Sequence, residues 1–354
     1  MRVGIFDPYL DDIGGGEKYM MTIASILSAK YDIDIFWDNH HDLDLVGERF
    51  GIDTTKFTLV KNIFRPEFSS LDRFLQTQKY YAIIFLSDGS IPLVGSKKLF
   101  VHIQQPLEHF QENIAGKIKL MRVTKFFYNS LYTQRFVDKK FHLNSEVIYP
   151  PVVIHQRKFE KENIILHVGR FRTKNVTNGD YKKQGVMLQT FKDMVDNGLK
   201  DWKLIMAVSF PDDAKGDFEK LKSSTKGYPI EFLINQKNEA LWDIYSKAKI
   251  YWHASGYGED LEKNPEFAEH FGISTVEAMG AGTVPVVINA GGQREIVHEG
   301  VNGMLWDTLD QLQQKTIQLT KDSKLLEKLS KNALESAKVF SLDTFSEKIK
   351  TLVK

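Results

Sequence analysis

Short apolar runs alternate with longer amphipathic stretches along the whole chain. In the first half the runs are VGIF (3–6), IDIFW (33–37), AIIFL (82–86), LFVHI (99–103), KFFYN (125–129) and EVIYP (146–150). The second half carries NIILHV (163–168), KLIMAV (203–208), IEFLI (230–234), KIYWH (249–253) and VPVVI (284–288). Runs of this length, with helical patterns between them, predict βαβ units and parallel sheets. The series breaks at Tyr149-Pro150-Pro151-Val152, because paired prolines fit neither a helix interior nor a central strand. The expected layout is therefore an α/β chain of two doubly wound domains, 1–150 and 151–339, followed by a final helical segment, 340–354. The first helix is expected over 17–30, and after the run at 284–288 the pattern is helical through 308–339 and 341–353.

Composition changes this picture little. A chain of 354 residues exceeds the usual size of one core, which agrees with two domains. A net charge of +1 gives no global attraction to nucleic acid, and the absence of cysteine excludes disulfides, thiolate metal sites and cysteine nucleophiles. The N-terminal stretch lacks the apolar core of a signal peptide, so a cytoplasmic protein is expected, with peripheral membrane attachment open. Charge is uneven within the first half: residues 1–60 hold 5 Lys/Arg against 11 Asp/Glu, and residues 61–150 hold 13 against 7. The cluster Lys117, Lys119, Arg122, Lys125, interleaved with Ile118, Leu120 and Met121, reads either as a solvated helix face or as a surface for an anionic or lipid-linked acceptor.

The strongest chemical signal is Glu269-His-Phe-Gly-Ile-Ser-Thr-Val-Glu277, continuing as Ala-Met-Gly-Ala-Gly-Thr-Val-Pro-Val-Val. Gly272 marks a turn that lets the chain approach a ligand closely, just after Phe271. The amides of Ile273 and Ser274 then open a helix whose positive end suits a phosphate. Glu277, one turn further in, can reach ribose hydroxyls, while Glu269 faces the sugar side. Gly14-Gly15-Gly16-Glu17 follows the first strand, but the triplet is contiguous and Tyr19 stands where a dinucleotide fingerprint needs its third glycine. A dehydrogenase is thereby excluded.

The 269–288 segment resembles the signature of family 4 of the retaining glycosyltransferases, Glu-x7-Glu followed by Glu-Ala-Met-x-x-Gly-x-x-Pro-Val. Its wording Glu-His-Phe-Gly-Ile is also similar to that of mannosyltransferases using GDP-mannose. The resemblance implies the GT-B fold, two Rossmann-like domains facing across a cleft, with the last helix crossing back to the first domain. It implies that Arg170, in HVGRF, and Lys182, in KKQGVMLQTF, grip the donor diphosphate; spacing to Phe191 prefers Lys182 over Lys183. It also places the Gly14–Gly16 loop against that diphosphate and His102 against the transferred sugar, and suggests a landmark segment at Gly291-Gly292-Gln293. His253, in Tyr-Trp-His-Ala-Ser-Gly, reads either as a packed strand-end histidine, the preferred reading, or as a residue lining the cleft.

The implied activity is retaining transfer of a hexose, from GDP-mannose or a UDP-sugar, to a hydroxyl of a glycan or lipid-linked acceptor. Neither a metal nor a cofactor is expected, because cations at the leaving diphosphate do the work of a metal. The alternatives are a nucleotide-sugar epimerase or phosphorylase of the same architecture, and a non-catalytic nucleotide-sugar-binding protein. A phosphorylase would need a pyridoxal-phosphate lysine, for which no motif is present.

Overall fold

Each apolar run becomes a strand in one of two parallel sheets. The computed structural model describes residues 1–12, 14–107, 114–141, 143–155, 159–171, 180–210 and 214–354. Those residues fall into two units, Met1–Pro151 with Leu342–Lys354, and Val152–Ser341.

The first unit contains β1 (Arg2–Phe6), β2 (Asp32–Phe36), β3 (Phe57–Val60), β4 (Ala82–Leu86), β5 (Lys98–Ile103), β6 (Lys125–Tyr128) and β7 (Ser145–Val147). They lie in the order β3-β2-β1-β4-β5-β6-β7, all parallel. Helices α1 (Gly15–Leu27), α2 (His40–Phe50), α3 (Ser70–Thr77), α4 (Ile114–Met121) and α5 (Leu131–Phe141) connect them. Side chains alternate between two cores: Ala82, Ile84 and Leu86 of β4 enter one, and Ile83 and Phe85 the other. Burial on both faces is why these strands read as unbroken apolar runs rather than as alternating ones.

The second unit contains β8 (Glu162–Arg170), α6 (Gln184–Asp196), β9 (Lys203–Ser209), α7 (Lys215–Ser223), β10 (Ile230–Ile234), α8 (Asn238–Lys247) and β11 (Ala248–His253). It continues with α9 (Ile273–Gly280), β12 (Val284–Ile288), α10 (Gln293–Ile296), β13 (Met304–Trp306), α11 (Leu309–Lys321) and α12 (Ser323–Ala337). Its strand order is β10-β9-β8-β11-β12-β13. The last helix, α13 (Leu342–Val353), belongs to the first unit, where Phe345 meets Tyr19 of α1 edge-on at 5.0 Å and Ile349, Leu352 and Val353 are buried.

Four details depart from the sequence pattern. β3 and β13 went unread because Thr58 breaks the apolar run of FTLV and MLW offers only three positions. The stretch 308–339 is two helices, since the Asp322 carboxylate accepts the Leu325 N–H at 2.9 Å and caps a new start. The first helix runs from Gly15 to Leu27 rather than over 17–30, because Gly14 caps it.

One buried cation stitches the second unit together. Lys161 Nζ donates to Ala248 O (2.8 Å), Ala281 O (2.9 Å) and Thr283 Oγ1 (3.0 Å). Ala248 and Ala281 are the C-caps of α8 and α9, where helix dipoles gather negative partial charge. Three ammonium protons meet three acceptors. Lys161→Met takes the donor from Ala281 O and leaves Ala248 O with Thr283 Oγ1 alone, and is expected to cost about 2–3 kcal/mol. The corresponding fall in Tm is roughly 4–12 °C, read by circular dichroism, and a variant melting with wild-type would show the ammonium adds nothing net.

Candidate functional site

In open α/β sheets ligands gather at the carboxyl ends of the strands where the order reverses, here between β8 and β11 in the second unit. β8 ends in His167, Gly169 and Arg170; β11 ends in His253. His167 is fully buried and its Nδ1 lies 3.0 Å from Trp252 O, so Nδ1 carries the proton and the two strand ends are tied. Arg170 stands in register with Ser209 of β9, half-buried at the rim.

Glu269 enters from the loop before α9, and its placement depends on two close approaches. Gly292 N donates to Glu269 O at 2.7 Å, and a Cβ on Gly292 would lie 2.5 Å from Phe271 Cα. Backbone therefore packs directly on backbone, which requires glycine there. Gly272 then turns with φ +118°, a left-handed value, and α9 begins.

The carboxylate so placed uses one oxygen for two donors. Lys182 Nζ reaches Glu269 Oε2 at 2.6 Å, and His253 Nε2 reaches the same atom at 2.9 Å. Oε1 takes no hydrogen bond among the described residues. Burial raises the Glu269 pKa, but the charge of Lys182 and the bond and charge of His253 outweigh it and hold the carboxyl well below its usual range. Tyr181 steadies the lysine, its OH donating to Ala268 O at 2.9 Å and its ring lying 5.0 Å beneath the ammonium. Lys183 goes elsewhere: it caps α6 with φ 54° and pairs with Glu259 at 2.5 Å. The two neighbouring lysines thus serve different acids. The intervening insertion, residues 172–179, lies outside the described residues.

The N-terminus of α9 completes this edge. The first intrahelical bonds run from Thr275 N and Val276 N to Gly272 O, so the Ile273 and Ser274 amides precede the helical ladder. Ser274 Oγ meets Tyr251 OH at 2.7 Å, and Glu277 Oε2 accepts from Tyr245 OH at 3.1 Å. Phe271 contributes packing, its ring buried edge-on against Phe340 at 5.4 Å. Among the described residues, Gln184 Oε1, His253 Nδ1, Ser255 Oγ, Thr275 Oγ1 and the Gln293 amide are buried without partners. Buried polar atoms are normally satisfied, so five such residues on the segments bearing these strand ends mark a place prepared for polar company. His253, for which the sequence favours packing over a place in the cleft, is buried and also holds Glu269; only its contact with a residue in another segment could reveal that.

In the first unit the switch point lies between β1 and β4, and the glycine loop follows β1. The Glu17 carboxylate accepts the Gly14 N–H at 2.5 Å, fixing the turn into Gly15 and Gly16. A Cβ on Gly16 would collide with the Gln104 side chain, so the loop is seated on the end of β5. His102 of β5 is fully buried, its ring stacked on Tyr19 at 4.3 Å and on Phe127 at 4.7 Å. Nδ1 lies 3.1 Å from Phe127 O, and Nε2 is buried without a partner among the described residues. Two rings fix the imidazole's orientation, and Nε2 is the ring nitrogen left to meet a polar partner.

The buried histidines make the protein acid-sensitive. Burial lowers the pKa of His102 to about 3, and burial with the nearby charge of His253 lowers that of His167 to about 3, from 6.5. Below pH 6.5 the unfolded chain binds protons that the folded chain refuses, so stability falls as pH drops from 6.5 towards 3. The slope is about 1.4 kcal/mol per pH unit for each histidine. Thermal melts of His167→Gln between neutral and acid pH should show a shallower decline than wild-type; an equal decline would mean His167 does not stay neutral.

Residues 154–336 match the family described as Glycosyl transferases group 1. The GDP-Man:Man(3)GlcNAc(2)-PP-Dol alpha-1,2-mannosyltransferase of Dictyostelium discoideum is 26% identical over 230 residues, 61% of this chain and 43% of that protein. The chain spans less than half the length of that enzyme. A Campylobacter jejuni GalNAc-alpha-(1->4)-GalNAc-alpha-(1->3)-diNAcBac-PP-undecaprenol alpha-1,4-N-acetyl-D-galactosaminyltransferase is 24% identical over 67% of this chain and 68% of its own. Among solved structures, Anabaena HepE in complex with UDP and glucose superimposes with a TM-score of 0.73 at 18% identity, covering 99% of both chains, a likeness of fold. With two Rossmann-like parallel sheets in the GT-B manner and a family match over more than half of its length, the chain belongs to the group 1 glycosyl transferases.

Proposed function

We propose that the chain transfers a hexosyl group from a nucleotide-diphosphate sugar to a hydroxyl of a glycan or lipid-linked acceptor, with retention of configuration and without a metal. The observation that carries this reading is the shared Glu269 oxygen. Lys182 spends one proton on Oε2 and its side chain stays 20% exposed, leaving ammonium protons for a second anion. Oε1 is left to accept from a sugar hydroxyl. Arg170 and the N-terminus of α9 lie on the same switch-point edge of the second unit, so positive potential collects where a diphosphate would leave.

On this reading the bond between the anomeric carbon and the diphosphate oxygen breaks, and its electron pair stays with the diphosphate. Arg170, Lys182 and the α9 amides stabilise that charge as it grows. The acceptor oxygen bonds to the same face of the anomeric carbon, and its proton passes to a departing phosphate oxygen. No separate base is then required. Glu277 takes the ribose hydroxyls and Glu269 orients the hexose. The names of the Dictyostelium and Campylobacter relatives support a polyprenyl-linked acceptor, and the former supports GDP-mannose as donor.

A panel of nucleotide-sugars, with released nucleotide diphosphate measured, tests the reading. Turnover of GDP-mannose or a UDP-sugar is expected to persist in chelator. Loss of turnover in chelator that magnesium or manganese restores would overturn metal independence, and silence across the panel with a lipid-linked acceptor present would overturn the transferase reading.

Arg170 separates a transferase from a binder. A cation fixed at the leaving phosphate stabilises the transition state more than the ground state. Arg170→Ala should lower kcat on the order of 10²–10³, with a smaller rise in donor KM. Lysine should restore little, since one ammonium cannot reproduce a planar two-pronged grip. A variant with near wild-type kcat and only a raised KM would reduce Arg170 to an anchor.

A further inference from the structure

Three consecutive residues before α6 are each tied to a different point of the segment that joins β11 to α9. Tyr181 OH donates to Ala268 O at 2.9 Å, Lys182 Nζ to Glu269 Oε2 at 2.6 Å, and Lys183 Nζ to Glu259 Oε1 at 2.5 Å. The first two bonds end on adjacent residues and act on the Lys182 ammonium directly. The third ends further back along the segment, on an acid that has no place in the transfer chemistry.

Lys183 stands in a backbone state that lysine disfavours. Its φ of 54° and ψ of 37° are left-handed, where a Cβ crowds the following carbonyl and glycine, asparagine and aspartate are the usual occupants. It takes the cap position of α6 and makes no side-chain cap bond. Asp180 closes the turn instead: its O accepts the Lys183 N–H at 2.9 Å, and its Oδ2 accepts the Gly185 N–H at 2.6 Å. The turn that carries Lys182 therefore depends on residue 183 keeping an unfavourable geometry, and such geometry persists only where surrounding contacts enforce it.

Glu259 is placed to enforce it. Gly256 and Gly258 turn with φ +97° and +76°, and Glu259 N donates to Gly256 O at 3.2 Å, so a two-glycine bend seats the acid. Its pair with Lys183 is largely withdrawn from water, with 29% and 17% of the two side chains exposed. The neighbouring Lys263–Asp260 pair, at 81% and 50%, lies within its own turn and is open to screening. Of the two pairs, only the first joins the segment to the start of α6.

We propose that Glu259 is a positioning residue for sugar transfer: by holding Lys183 it keeps residue 183 left-handed, and so keeps the Lys182 ammonium on Glu269 beside the leaving diphosphate. The diphosphate part rests on the reading above, but the placement of Lys182 can be measured without any transfer.

The full chain is compared with Glu259→Gln, Lys183→Gln, Lys183→Asn and the double variant Glu259→Gln with Lys183→Asn. All four remove the ion pair, but only asparagine accepts left-handed backbone readily. Brief acetylation with acetic anhydride, with acetylated Lys182 counted by mass spectrometry, reads how firmly that ammonium is held. Glu259→Gln and Lys183→Gln should each label Lys182 about fivefold faster, the worth of one partly buried pair. Their kcat should fall roughly tenfold with a smaller change in donor KM, because a displaced cation harms the transition state most. Lys183→Asn, alone or with Glu259→Gln, should stay close to wild-type in both measurements.

Labelling and kcat that ignore Glu259→Gln overturn the proposal. A defect that Lys183→Asn shares or fails to repair also overturns it, since the pair would then act through something other than backbone geometry. A fall in donor KM in Glu259→Gln would overturn it by making Lys183 a donor ligand that Glu259 restrains. Should Glu259→Gln fail to fold, the contrast between Lys183→Gln and Lys183→Asn decides alone, and equal behaviour of the two sinks the idea. The expected labelling pattern in a chain that transfers no sugar overturns the function reading alone. Wild-type transfer with labelling and kcat indifferent to Glu259→Gln overturns this proposal alone.

Discussion

Glu269 Oε2 is claimed at once by Lys182 and by His253, and much of the second unit is arranged so that this can happen. A carboxylate drawn out of water would take up a proton unless donors replace the lost hydration. Lys182 comes from the segment before α6, His253 from the end of β11, and Glu269 from the loop leading to α9. The Gly291–Gly292 pair backs the carboxylate's own backbone, leaving no room for a side chain. Each partner would be costly alone: an ammonium half-withdrawn from solvent, a buried imidazole, a buried acid. Together they leave a fixed anion with one oxygen to offer and a cation with protons to spare.

In the first unit buried acids meet other donors, Asp34 of β2 taking Arg2 and the Tyr80 hydroxyl. Glu17 is buried and accepts the Gly14 amide, a hydrogen bond that fixes the glycine loop. Asp7, at the end of β1, is buried beside it with one oxygen lacking a partner. Burial, and then the charge of Glu17, raise the Asp7 pKa to about 8, so at neutral pH it is mostly protonated. Asp7, raised by burial and a neighbouring carboxylate, keeps its proton; Glu269, with a lysine and a histidine on one oxygen, gives it up. The two switch points therefore differ in charge because they differ in donors.

Helix termini and buried cations carry the remaining polar load. Lys161 collects the carbonyls at the ends of α8 and α9, so the same helix that opens at Gly272 beside Glu269 is held at its far end by an ammonium. Tyr245 and Tyr251 then fasten Glu277 and Ser274 on the flank of α9. A short helix pinned at its flank and end presents its first amides with little freedom, which is what anion binding at a helix start requires.

The parallel sheets were legible along the chain because strands buried on both faces are apolar without interruption, and that is a local property. The pairing of Glu269 with Glu277 across a glycine turn was legible for the same reason, since both acids share one short segment. The strands β3 and β13 were not, one broken by Thr58 and the other offering only three positions. The fate of Lys182 was decided by a partner 87 positions away, and that of Lys183 by one 76 away. His253 looked like core because it is core; its hold on Glu269 exists only once two loops meet. The stacking of His102 between Tyr19 and Phe127 was likewise invisible in the sequence, since it joins α1, β5 and β6. Sequence by itself determined the fold class, because burial pattern is written residue by residue. Tertiary structure decided which donor meets which acceptor, because hydrogen bonds act over about 3 Å and the chain must fold before those atoms are neighbours.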